Sequence, residues 1–145
     1  MGSTYVDLHG QGFEASDATL QVWLLLLVDE IDRLENPPQW LKEVGEEWYA
    51  QGTAGFGFGV MPGLDQFVTG PECRDAILDL SAKAMRRLRG LGPMIPVDQL
   101  NAIMRGGEGT VFTEPVSSAV FEKVGDHFVR LLRGELSPEE TDARF

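Results

Sequence analysis

Seven consecutive apolar residues, Val22-Trp23-Leu24-Leu25-Leu26-Leu27-Val28, stand out from a chain whose other apolar residues are spaced. A run of that length covers every side of a helix, and the apolar positions continue at Ile31 and Leu34. Four leucines and the length favour helix over buried strand. Ser16 reads as its N-cap, with Asp17 placed for the helix dipole. The pattern predicts a central helix over about 17–35, buried all round and ended by Asn36-Pro37-Pro38.

The remaining periodicities predict elements around it. Trp40, Leu41, Val44 and Trp48 share one face of a helix from about Pro38 to Gln51, with Gly52 as its C′ residue. Ile77, Leu80, Ala84 and Leu88 mark a helix over Pro71–Arg89, led by a capping box at Thr69–Glu72. Arg86, Arg87 and Arg89 suit the negative end of its dipole. A short helix, Val97–Arg105, carries Leu100, Ile103 and Met104. Val120, Phe121, Val124, Phe128, Leu131 and Leu132 mark a helix over Ser117–Arg133, with Gly134 at C′ and Leu136 placed for a Schellman contact. Ser137-Pro138-Glu139-Glu140 starts a last short turn.

Strand signals are fewer. Gly55, Gly57 and Gly59 alternate with Phe56, Phe58 and Val60, a period of two. With Pro62-Gly63 as a turn and Leu64–Thr69 as the return, segment 52–69 is expected to form a hairpin. Thr110–Thr113 reads as a strand and Tyr5–Leu8 as a short edge strand in an otherwise polar, Gly-containing start. The fold class expected is mostly helical α+β. About five helices in all, arranged around the central buried one, are expected with a small antiparallel hairpin or sheet, in a single domain over 1–145 with no linker.

Charge changes the picture most. The 145 residues carry 23 acids and 12 bases, a net charge of −11. Residues 1–70 account for −9 and residues 71–145 for −2. Such a surface repels phosphate backbones and anionic membranes, so neither nucleic acid nor membrane is an expected partner. No apolar stretch reaches membrane-spanning length, no secretory signal is evident, and the lone Cys73 fits a reducing compartment, so the expected location is cytoplasmic. Nine Arg to three Lys points by association to a GC-rich bacterial genome.

Candidate chemistry is thin. His127 follows Asp126, but adjacent helical residues do not face each other. His9 sits in a polar, Gly-flanked segment, and Cys73 stands in a first helical turn beside Arg74. The glycine run lacks the Gly-Lys-Ser/Thr of a phosphate loop and the GxGxxG spacing. No cofactor and no metal site is expected, since no Glu-x-x-His or multi-cysteine pattern occurs.

Seven acids remain between residues 29 and 47: Asp29, Glu30, Asp32, Glu35, Glu43, Glu46 and Glu47. A sharp Pro-Pro turn between two helices should bring them to one end of a helical hairpin. Asp29, Asp32, Glu35, Glu43, Glu46 and Glu47 are therefore the candidate partner-binding residues, with Phe56 and Phe58 as aromatic anchors. The expected function is a non-catalytic acidic interaction domain that masks a basic protein. In size and charge it resembles immunity proteins that neutralise nuclease-type toxins, an analogy of class with no motif behind it. The alternative is a small-molecule binder or minor enzyme with a pocket near the hairpin over 52–63. Trp40 and Trp48 are the candidates for a dimerising patch.

Overall fold

A computed structural model describes residues 2–54, 60–107 and 110–136. The chain opens with a hairpin, β1 (Ser3–Leu8) and β2 (Gln11–Ser16). Both turn residues, His9 and Gly10, have positive φ (51° and 82°), as a type I′ turn requires. Register pairs Val6 with Phe13, and Val6, Leu8, Phe13 and Ala15 are all buried. The alternation that buries them runs through both strands, so the polar start is a complete hairpin and not a lone edge strand.

Strand β2 runs directly into α1 (Asp17–Asp32), where the Ser16 side chain accepts from the Thr19 backbone N–H. Every residue from Thr19 to Val28 is buried, as the unbroken apolar run predicts. Two of them, Thr19 and Gln21, are polar. Gln21 donates to the carbonyls of Gln51 and Ala54, both at 3.2 Å, and so satisfies the end of the next helix. Helix α1 stops at Asp32, short of the expected 35, which leaves Glu35 in the connection.

Helix α2 (Gln39–Thr53) is the principal neighbour of α1. Gly52 lies inside α2 and not at its C′ position, because α1 needs it small. A Cβ there would stand 2.6 Å from Leu25 Cγ, in the middle of a fully buried side chain. Glycine to alanine in a helix normally gains about 1 kcal/mol. Here the overlap reverses the sign, and Gly52→Ala is expected to destabilise by about 1–3 kcal/mol in urea unfolding.

The expected hairpin over 52–69 is corrected in part. Residues 52–53 continue α2, and Leu64–Phe67 is a one-turn helix, α3, not a return strand. Gly63 precedes it at φ 65°. The reason is a tether: Trp48 Nε1 donates to the Pro62 carbonyl at 2.7 Å, drawing this segment onto α2. Residues 55–59, including Phe56 and Phe58, lie outside the described residues.

Helix α4 (Pro71–Gly90) begins at Gly70 without a side-chain cap, so the Thr69 capping box does not form. Thr69 Oγ1 lies 3.8 Å from Cys73 Sγ instead. Next come β3 (Met94–Ile95), α5 (Val97–Ile103), β4 (Val116–Ser117) and α6 (Ser118–Leu132). Strands β3 and β4 pair antiparallel. The strand expected at Thr110–Thr113 is absent among the described residues. The Asn101 side chain bonds both backbone groups of Phe112, at 3.0 and 2.8 Å, taking the place of a strand partner. Gly134 ends α6 at φ 68°, and Glu135 N–H donates to the Arg130 carbonyl at 2.9 Å with Leu136 buried beside it.

The result is a mostly α, α+β fold with six helices among the described residues, one more than expected. Helices α2, α4 and α6 pack on the central α1, and one continuous core joins them to the hairpin. No helix among the described residues is long and apolar enough to cross a membrane.

Candidate functional site: the acidic end of the α1–α2 pair

The acids of segment 29–47 separate into two groups with different fates. Asp29, Glu30 and Asp32 sit on the last turn of α1, where two arginines meet them from distant parts of the chain. Arg87, near the end of α4, places Nη1 3.3 Å from Asp29 Oδ2 and Nη2 2.6 Å from Glu30 Oε1. Arg105, just past α5, bonds the other oxygen of Asp29 and reaches Asp32 Oδ2 at 3.4 Å. One Asp29 carboxylate thus bridges two guanidinium groups. These three acids neutralise the protein's own cations.

Glu35, Glu43, Glu46 and Glu47 form the second group, and all four are exposed. None is within ion-pair distance of a cation among the described residues. Glu47 accepts from Gln51 Nε2 at 3.1 Å, one turn on. Leu41, Val44 and Trp48 turn inward, so helical spacing directs Glu43, Glu46 and Glu47 outward over about 100° of arc.

A cleft of about 500 Å³ opens where these groups adjoin. Its floor is apolar, from Val28, Ile31 and Leu34 of the α1 end, and Gly45 lets it run close to the α2 backbone. Asp32, Lys42, Glu46 and Arg105 supply the charged rim, and Tyr49, 43% exposed, forms a wall. The Arg105 guanidinium carbon lies 5.6 Å from the Tyr49 ring centroid, a cation–π contact.

The backbone that presents Arg105 is unusual. Arg105 has φ 57° and Gly106 φ 65°, and Gly107 N–H donates to the Met104 carbonyl at 3.2 Å. Two left-handed residues closed this way form a type I′ turn, in which a bulky non-glycine residue is uncommon. A Cβ on Gly107 would stand 2.7 Å from Thr53 Cβ, so the turn is pressed against the end of α2. Sequence reading missed Arg87 and Arg105 as partners of the acids. They lie 58 and 76 residues from Asp29, and no local pattern carries a pairing of that range.

The other candidates are dispersed. His9 is exposed in the hairpin turn, where its backbone N–H donates to Asp65 Oδ1 at 3.3 Å. It borders a separate groove of about 330 Å³ with Arg74 and Arg133. The His127 ring Nδ1 lies 3.0 Å from the Lys123 carbonyl, and the ring packs against Phe13. Cys73 is a half-buried free thiol. Trp48 is fully buried, which removes it from any dimerising surface, and Trp40 packs half-buried on the core. No group of three metal-ligating side chains occurs among the described residues. No family model, no curated protein and no solved structure matches this chain.

Proposed function

We propose that the protein is a non-catalytic interaction domain that binds and masks a basic partner protein, in the manner of an immunity or inhibitor protein. The observation that supports this reading is the division of the acids. Asp29, Glu30 and Asp32 are held by Arg87 and Arg105, whereas Glu35, Glu43, Glu46 and Glu47 are exposed and have no cation partner among the described residues. Like charges at i, i+3 and i+4 on α2 destabilise a helix slightly, so the face has a cost to folding that a cationic partner would relieve. The binding surface thereby narrows from the whole 29–47 segment to the outward side of α2 and the connection before it.

The mechanism is electrostatic capture. Carboxylates take the positions that phosphates would occupy on a cationic surface, and the field raises the rate of encounter. The unbridged Cys73 and the anionic surface fit a bacterial cytoplasmic protein that does not itself hold nucleic acid. The alternative, a ligand pocket beside segment 52–63, has less support. Among the described residues, the groove between β1 and Met61–Asp65 is about 140 Å³, below the range of small-molecule sites.

Substituting glutamine for Glu43, Glu46 and Glu47 together tests the reading. With a hexa-arginine peptide as probe at low salt, the triple variant is expected to lose about tenfold or more in association rate. The wild-type rate should fall toward that of the variant as salt rises. Equal rates at every salt concentration would defeat the proposal.

A further inference from the structure

Arg105 shows what the cleft beside α2 holds well. Its guanidinium lies against the carboxylates of Asp29 and Asp32, with the Tyr49 ring beside it. Two carboxylates and an aromatic face are a seat for a planar cation, which lysine fills less well. The seat opens onto a cleft of about 500 Å³ whose floor is apolar and suits the aliphatic stem of a long side chain. Of the other charged rim groups, Lys42 opposes a cationic visitor and Glu46, which has no cation partner among the described residues, favours one.

Part of the contact made by the present occupant lies in water. The Arg105 side chain is 29% exposed and that of Asp32 is 60% exposed, so water competes for the pair. Its backbone is left-handed, a conformation that disfavours a bulky side chain and that release of the turn would relieve. Asp29 keeps Arg87 when Arg105 leaves, and Asp32 is exposed enough for water to solvate its carboxylate.

We propose that Arg105 is an internal stand-in for an arginine of the basic partner: it caps the cleft in the free protein and gives way when a partner's guanidinium enters between Asp32, Glu46 and Tyr49. This rests on the interaction reading above and assigns it a specificity, arginine over lysine, and a self-masking contact. An exposed anionic face would attract any polycation. A capped cleft favours a side chain that takes over the cap's contacts with Asp32 and Tyr49.

The test uses Arg105→Gly, which removes the side chain where the backbone already prefers glycine. Arg105→Asn, also at ease with positive φ, is the second variant should the first lose its cooperative melt. Arg86→Ala, on the exposed side of α4, removes the same charge at a distance. Hexa-arginine and hexa-lysine peptides are titrated calorimetrically at one ionic strength. Opening the cap is expected to tighten hexa-arginine binding by about tenfold, the scale of one charge-assisted contact, with a clearly smaller gain for hexa-lysine. The Gly45 and Tyr49 amide resonances should move on titration. Arg86→Ala should give a small gain, equal for both peptides. Equal gains for both peptides with Arg105→Gly, or no gain, would overturn the capping role. The outcome for the interaction reading is separate. It is read from Glu43→Gln/Glu47→Gln, outside the cleft, where unchanged wild-type binding counts against the anionic face whatever Arg105 does.

Discussion

Trp48→Ala is expected to remove about 3–5 kcal/mol of stability, the usual cost of deleting a buried tryptophan ring. The indole is fully buried and meets Phe67 and Phe128 edge-on, at centroid distances of 6.5 and 6.2 Å. It also holds the Pro62 carbonyl through Nε1, and the loss of that donor strands a buried acceptor, a further penalty of about 1–3 kcal/mol. A domain of this size has about 5–15 kcal/mol in total, so the alanine variant should approach the limit of folding at 37 °C. Trp48→Phe separates the contributions. It keeps most of the ring packing and should lose chiefly the hydrogen bond, with a smaller shift of the urea midpoint. A phenylalanine variant as unstable as the alanine one would mean that the tether to Pro62, and not the ring, dominates.

Arg87→Ala carries the second large effect. Removing one partner of a buried ion pair costs about 3–5 kcal/mol because a charge is left without compensation. The Arg87, Asp29 and Glu30 side chains are 20%, 25% and 10% exposed, so water recovers part of that and about 2–3 kcal/mol is expected. Arg87→Lys should recover only part, since one ammonium cannot place two separate nitrogens beside the two carboxylates. The pair that Arg105 makes with Asp32 lies further out in water and contributes less than about 1 kcal/mol. High salt should therefore leave the Arg87→Ala deficit nearly intact, and thermal melts at low and high salt measure this directly. A deficit that vanishes in salt would place the pair in solvent.

These two residues illustrate what a sequence can and cannot carry. Trp48 lies in an α2 stripe with Leu41 and Val44, and the spacing alone marks it as inward-facing. The same spacing identified α1, α4 and α6 to within a few residues, because a helix face is a local pattern. Arg87 was legible only as a cation near a helix end. Its contact with Asp29 and Glu30 depends on how α4 crosses α1, which no local period encodes. The return strand expected at Leu64–Thr69 fails for a related reason, while residues 55–59 lie outside the described residues. Alternation of Gly and Phe over 55–60 is a stronger written signal than that of Val6, Leu8, Phe13 and Ala15. Yet the weaker signal is completed by a His9-Gly10 turn of the right hand, and Trp48 draws Pro62 onto a helix. Asn101 likewise satisfies Phe112, which takes away the need for a strand that the composition of 110–113 suggests.

The acids show the same limit in the functional reading. Their number and clustering are plain in the sequence, but their division is not. Three of the seven are internal counter-ions, and the four without a cation partner among the described residues lie on one side of α2 and in the connection before it. A surface chosen by counting charge would have included Asp29, which ties the end of α1 to α4 through Arg87.

Amide chemical-shift mapping of the wild-type protein with hexa-arginine reads the location of that face in one titration. The largest shifts are expected at Glu43–Ala50 and the connection around Glu35, fading as salt is raised. Shifts spread evenly over the acidic residues of the hairpin, α4 and α6, with none concentrated on α2, would contradict a dedicated binding surface and leave the charge as a means of staying in solution.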